Sequence, residues 1–209
     1  HLEDFQPYGE MVDGKQMLIP AENYNIKMLS IGFFVKPDTA MLWRGAMASN
    51  ALKQLIADAE WDDLDYFILD TPPGTSDIHL TLLQTIPITG AVIVSTPQQV
   101  ALADARKGID MYRNKSVNVP ILGLVENMSW FTPAELPENK YYIFGKGGVS
   151  RLAEEMNVPV LGEIPIGEPV ALDENSIAGK AFRTLAENVV KAVEKRNAEL
   201  PPTKIVGTR

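Results

Sequence analysis

The sequence predicts an α/β fold, a mostly parallel sheet with helices on both faces. Three observations carry that prediction. Apolar runs of strand length alternate with stretches of helical spacing, the pattern of βαβ units. With 209 residues, 45 % apolar and 22 % charged, the chain can bury a large core. It shows no internal repeat and no low-complexity tract, so a single domain over residues 1–200 is expected, followed by a flexible tail at 201–209.

The elements follow in order. Residues 9–20 read as a small hairpin with Asp13-Gly14 at its turn. Residues 27–35 (KMLSIGFFV) predict a buried strand. From 43 to 59 the spacing is helical, with Met47, Leu52, Leu55, Ile56 and Ala59 on one face. A connector at 61–65 leads into a strand over 66–70, and a short helix over 78–86 is closed by Pro87. Residues 90–95 (GAVIVS) predict another strand, and 97–101 lead into a helix ending near Asn114 with Ala101, Ala105, Ile109 and Tyr112 on one stripe. A strand at 120–126 precedes a long connector, 127–146, and loops of that length are usually functional or mobile. A helix over 148–157, a last strand over 158–164 and an amphipathic helix over 176–196 with Ser176 as its cap complete the order.

Composition narrows the function. The net charge of −8 argues against a broad nucleic-acid footprint. No apolar run reaches the length of a membrane-spanning helix. There are no cysteines, which removes disulfides, zinc–thiolate sites and thiol nucleophiles from this chain and fits a reducing, cytoplasmic setting. The first residues are polar and acidic, with no signal peptide among them, and the opening His1 leads us to expect a piece of a longer product. His1 and His79 are isolated histidines without cysteine partners and do not form a metal-site pattern; His79 reads as structural or surface. Trp43, Trp61 and Trp130 read as packing or interface anchors, and Arg44 as a carboxylate or phosphate partner or a salt bridge on a dimer face. No Ser-His-Asp triad stands out.

The most informative stretch is 66–77, YFILDTPPGTSD. In an open parallel sheet the strands' carboxyl ends face the ligand crevice, which would bring Asp70 to a Mg²⁺-bound water beside a phosphate. Gly74 allows close backbone approach, and Thr75, Ser76 and Asp77 offer cap oxygens to the following helix. An ordinary strand-to-helix turn would use the same residue types.

Further segments occur with it in a fixed order: LWRGAMAS (42–49), DYFILDTPPGTSDIHLTLLQ (65–84), VIVSTPQQVALADARKGIDM (92–111), GLVENMSWF (123–131), YYIFGKGG (141–148) and LGEIPI (161–166). Together they resemble the Mrp/ApbC iron–sulfur cluster carrier family, P-loop ATPases related to MinD and ParA, over roughly residues 26–196. The resemblance implies a P-loop NTPase-like fold, an ATP- and Mg²⁺-binding homodimer that hydrolyses ATP, and transfer of a labile iron–sulfur cluster to apoproteins or assembly factors. Asp70 matches the family's Walker B or switch II aspartate, implied to hold Mg²⁺ through water. Gly74 matches the switch II glycine, whose N–H would sense the terminal phosphate. Asn127 matches the adenine-reading position of the MinD-like relatives, a task suited to an amide that both donates and accepts. Pro165 matches the strand exit that flanks the base.

The chain departs from this pattern twice. The family's phosphate-binding loop, GKGGVGKS or similar, and the βα unit carrying it are not in these 209 residues, so no useful ATP affinity is expected from this polypeptide alone. FGKGGVSR (144–151) copies the start of that loop, but Ser150 and Arg151 replace the required Gly and Lys and no strand precedes it; a Gly-rich helix start with Lys146 exposed is expected. In the second departure, Thr132, Pro133, Ala134 and Glu135 stand where many members carry a Cys-x-x-Cys pair bridging a dimer through a cluster. Residues are also expected to be fewer than usual after Ile166, where the chain runs quickly to Pro169. The alternatives are a MinD/ParA-like ATPase switch without a cluster, or a nucleotide-free partner-binding scaffold. A membrane-targeting form would want a basic amphipathic helix, and residues 176–196 carry mixed charge.

Overall fold

The structure, a computed structural model, describes residues 5–34, 45–167 and 173–207. It divides into two compact units, His1–Thr85 and Ile86–Arg209, each described by itself.

The first unit opens with a hairpin, β1 (Tyr8–Val12) and β2 (Lys15–Ile19), paired antiparallel with Val12 opposite Lys15. Asp13 and Gly14 between them have φ +49° and +80°, the two positive values a tight hairpin loop needs. A second hairpin follows, β3 (Ala21–Asn23) and β4 (Ile26–Met28), turned by Tyr24 and Asn25 at φ +53° and +58°. This corrects the buried strand expected over 27–35. Ile26–Met28 is the exposed return arm of a hairpin, and Ile31–Phe34 is a 3-10 turn in which the Ser30 hydroxyl accepts the Gly32 N–H. The Tyr24-Asn25 turn carries no glycine, so its residue types did not announce it. Residue 35 lies outside the described residues, as do Trp43 and Arg44.

Helix α1 (Gly45–Ala57) forms as the spacing predicts, except that Met47 is exposed rather than on the buried face. Beyond it the Leu18 N–H donates to the Asp58 carbonyl (2.7 Å) and the Leu18 carbonyl accepts from Glu60 N–H (2.9 Å), tying β2 to the helix exit. Trp61 lies edge-on to Phe67 with ring centres 5.0 Å apart and donates its indole N–H to the Leu55 carbonyl. Helix α2 (Asp77–Thr85) packs on α1, where the Thr81 hydroxyl donates to Ser49 Oγ at 2.9 Å.

The strand expected over 66–70 does not form. The segment pairs with no strand among the described residues, and Ile68 is 87 % exposed. An apolar run states a demand for burial, whereas a strand also needs a neighbour to bond with.

The second unit is the predicted three-layer arrangement. Strands β5 (Ala91–Ser95), β6 (Ile121–Phe131) and β7 (Val160–Ile166) are parallel in the order β5-β6-β7. Helices α3 (Gln99–Arg113) and α4 (Gly148–Met156) cover one face, where Leu102, Ala105 and Ile109 meet Leu124, Val149 and Leu152. Helix α5 (Ile177–Glu199) covers the other with Leu185, Val189 and Val193 on Leu122, Val125 and Leu161. Its cap is the expected one, the Ser176 hydroxyl accepting from Gly179 N–H at 3.0 Å. Strand β6 runs five residues further than predicted, into the expected connector. After α5, the buried Arg196 guanidinium donates to the Pro201 carbonyl (2.8 Å) and Thr203 Oγ1 (2.7 Å), bonding the segment expected as a flexible tail.

Candidate functional site

In the first unit the candidate residues cluster before α2. Asp70 is exposed at the end of the unpaired 66–70 segment, its carboxylate open to solvent. Gly74 has φ +87°, a left-handed backbone that only glycine adopts without strain. A Cβ there would meet nothing within 4 Å, so conformation, not space, requires the glycine. Ser76 stands at the N-cap of α2, and His79, one turn in, is buried at 3 % exposure. The Ser76 N–H donates to His79 Nδ1 at 3.2 Å, the Ser76 hydroxyl lies 3.3 Å from the same nitrogen, and the His79 N–H donates to the Ser76 carbonyl at 3.0 Å. Burial pushes the His79 pKa below its ordinary value. The expected structural reading of His79 thus holds, with a specific task attached.

In the second unit the carboxyl ends of three parallel strands stand side by side. Ser95, Glu126 and Glu163 form one row across the sheet, and Asn127 opposite Ile164 belongs to the next. Asn127 is half-buried and its Oδ1 accepts from its own Met128 N–H at 2.9 Å, with Met128 left-handed at φ +54°. The Asn127 Nδ2 has no protein partner among the described residues. Pro165 is buried within β7, an edge strand, where its missing N–H breaks no ladder bond on the open side. Thr96, directly after β5, was not singled out from the sequence. Its Oγ1 is buried with no partner among the described residues. An orphaned hydroxyl and an amide with free donors at strand carboxyl ends suit the polar edge of a ligand.

Glu126, also not singled out, bonds the segment that copies the start of a phosphate loop. Its carboxylate is 1 % exposed and accepts twice, from the Ser129 hydroxyl at 2.6 Å and from the Val149 N–H at 2.9 Å. Val149 is in the first turn of α4, so an internal carboxylate occupies the place where a helix N-terminus would receive a phosphate. Around it Gly147 caps the helix at φ +64°, and a Cβ on Gly148 would come 2.4 Å from the Pro97 carbonyl oxygen. Lys146 is exposed as expected, its ammonium 4.8 Å from the centre of the Tyr142 ring.

The excursion between β6 and α4 is a closed loop. Phe131 and Tyr141 exchange two backbone hydrogen bonds, 2.9 and 2.8 Å, and the Lys140 ammonium sits 3.8 Å over the Trp130 ring. Thr132, Pro133, Ala134 and Glu135 fall inside it. The chain contains no cysteine, and among the described residues no group of three or more His, Cys, Asp or Glu could hold a metal ion. These residues do not fit an iron–sulfur cluster. A single open carboxylate, Asp70, does fit a Mg²⁺ ion whose other ligands are waters and phosphate oxygens. An open depression of about 540 Å³ lined by Ala153, Asn157, Pro159 and Val160 lies at the amino end of β7, away from the strand ends that carry Asn127 and Thr96.

Known proteins are similar to this chain. An iron–sulfur cluster carrier protein of Synechocystis is 41 % identical over 198 residues, covering 90 % of this chain and 54 % of the relative. The carrier protein of Salmonella typhimurium is 49 % identical over 154 residues, covering 74 % and 41 %. The mouse iron–sulfur cluster transfer protein NUBPL is 41 % identical over 189 residues, covering 85 % and 58 %. The chain thus spans about half the length of the curated relatives it matches. Among solved structures, a nucleotide-binding protein from Archaeoglobus fulgidus in complex with ADP matches with TM-score 0.60 and 28 % identity, covering 95 % of this chain and 71 % of that one. With residues 5–199 matched by the family model for ParA, described as NUBPL iron-transfer P-loop NTPase, the chain belongs to that family.

Proposed function

We propose that this chain supplies the switch and base-reading parts of an ATP-dependent iron–sulfur cluster carrier. The observation that carries the reading is the left-handed Gly74, four residues after an exposed aspartate and two before Ser76 at the start of α2. In the first unit, Asp70 would hold a water of a Mg²⁺ shell and the Gly74 N–H would meet a terminal phosphate. In the second unit, taken by itself, the Asn127 amide and the Thr96 hydroxyl would bond a base edge, with Pro165 beside it. ATP, when bound, supplies the energy that orders the switch segment and gates partner binding. The phosphate grip itself comes from a loop these 209 residues do not contain, so this polypeptide has little ATP affinity and no turnover by itself. In its working form the protein is a cytoplasmic homodimer serving iron–sulfur apoproteins or assembly factors, without nucleic-acid or membrane partners. Among the described residues no helix is long and apolar enough to cross a membrane.

A second reading, a MinD/ParA-like switch that carries no cluster, is favoured by one observation: the thiolate position is Thr-Pro-Ala-Glu in a cysteine-free chain. Mg·ATP titration of this chain, and of the chain joined to a phosphate-binding βα unit, tests the main reading. Affinity is expected only in the joined form, and Asp70→Asn is expected to abolish its turnover. Tight Mg·ATP binding by the chain alone would refute the account of the grip. Anaerobic loading with iron and sulfide, followed by transfer to an apoprotein, separates the two readings; repeated failure of the joined form to load favours the cluster-free switch.

A further inference from the structure

Helix α2 begins with half of a capping box, in which a histidine takes the place usually held by glutamate or glutamine while the His79 N–H bonds the Ser76 carbonyl instead of its hydroxyl. Ser76 is the N-cap, His79 is the third helical residue, and the imidazole reaches back to accept the N-cap N–H, as the acidic side chain does in the ordinary motif. Glutamate accepts at neutral pH and keeps accepting well below it. An imidazole accepts at Nδ1 only while that nitrogen is unprotonated. With Nδ1 accepting, the neutral ring carries its proton on Nε2.

We propose that His79 is a positioning residue for the switch segment: neutral, it latches the Ser76 backbone and so sets where residues 74–76 leave the left-handed Gly74 and enter α2, and protonation of Nδ1 opens the latch. The geometry is specific. Ser76 is two residues from Gly74, and its N–H and hydroxyl both converge on one ring nitrogen, at 3.2 and 3.3 Å. Once protonated, Nδ1 becomes a donor: the Ser76 N–H loses its partner, and the Ser76 hydroxyl is the group that can turn to accept. The surroundings do not favour a charge on the ring. His79 is buried, α1 is the helix packed against α2, and its single ionisable side chain, Lys53, carries positive charge. The other ionisable group on α2 is Asp77, which is exposed. Burial, the larger influence, lowers the ring's pKa against an opposing push from the Ser76 backbone bond, and keeps the latch shut at neutral pH.

The part played in ATP turnover rests on the function proposed above; the latch itself does not, and the experiment separates them. On this chain, the Ser76 amide protection factor is followed by hydrogen exchange from pH 7.5 down to 5. A fall of about tenfold is expected as the ring protonates, the size of leaving one donor unpaired. His79→Gln keeps an acceptor at every pH and should hold protection flat, and His79→Leu should be low throughout. The nitrogen spectrum of the unmutated ring, independent of whether either variant folds, should show Nδ1 unprotonated and Nε2 protonated at pH 7.5. A proton on Nδ1 there, or protection at Ser76 that ignores pH, overturns the proposal. In the joined ATPase, the acid limb of the turnover profile should disappear in His79→Gln. A working latch without ATP turnover at any pH would remove the proposed function and leave the positioning role standing.

Discussion

Replacing Glu126 by alanine removes two acceptors from the interior at once. The Val149 N–H, in a residue with 0 % exposure, loses its partner at the first turn of α4. The Ser129 hydroxyl, in a residue 1 % exposed, loses its own. Each buried group left unpaired costs about 1–3 kcal/mol, and the missing atoms leave a void between β6 and α4 that costs about 1 kcal/mol more. Relief from burying a carboxylate offsets part of this, so a net loss of about 3–4 kcal/mol is expected. Against a total near 5–15 kcal/mol that is a large share. Glu126→Gln separates hydrogen bonding from charge. Its amide oxygen can accept from Val149 N–H while its NH2 donates to the Ser129 oxygen, so a loss near 1 kcal/mol is expected. Urea unfolding of the chain measures both, and hydrogen exchange at the Val149 amide localises the effect, with protection falling far more in the alanine variant. If alanine costs under about 1 kcal/mol, or glutamine costs as much as alanine, the carboxylate is not what holds the start of α4.

Gly148→Ala should destabilise the second unit by about 2 kcal/mol or more in the same assay, because the new Cβ meets the Pro97 carbonyl oxygen, a backbone atom that cannot swing away. Arg196→Ala should cost about 1–3 kcal/mol and make residues 201–207 sensitive to brief proteolysis, since two of the guanidinium's bonds go to Pro201 and Thr203. Stability of the first unit should fall with acid. His79 has a folded pKa below its unfolded value near 6.5, so its contribution is complete above that pH and is lost as pH drops towards the folded pKa; thermal melts at pH 7.5 and 5.5 read it, and the dependence should vanish in His79→Gln. Asn127→Ala in the joined ATPase should weaken nucleotide binding about tenfold with a smaller change for GTP than for ATP, measured by calorimetry.

The order of strands and helices in the second half of the chain was legible, and the reason is local. From β5 onward each strand bonds to the strand before it in sequence, so every apolar run finds its neighbour one helix later. The first half was harder because its partners are not so ordered. Residues 66–70 look as apolar as β5 yet stand unpaired, and 27–35 look like a strand while Tyr24-Asn25 folds their start into a hairpin. The proposed site residues Asp70, Gly74, Asn127 and Pro165 were suggested by motif order, but what each bonds was not. Glu126 ends an apolar run and could be noticed as a charge in a buried place; its partner Val149, 23 residues later, could not. Thr96 had no signal beyond its place after a strand. The Gly-rich helix start expected in FGKGGVSR is where α4 begins, and the structure adds the Glu126 carboxylate that accepts from its first turn.

The clasp between Phe131 and Tyr141 makes the nine residues it encloses a cassette. Its two mouths are already held together, so swapping the contents demands no new closure from the sheet, and even a doubled length would cost only about 0.6 kcal/mol. Residues can therefore be exchanged there while β6 and α4 on either side keep their places. An engineer could do the same, grafting a cysteine pair, a peptide tag or a partner epitope between two fixed posts.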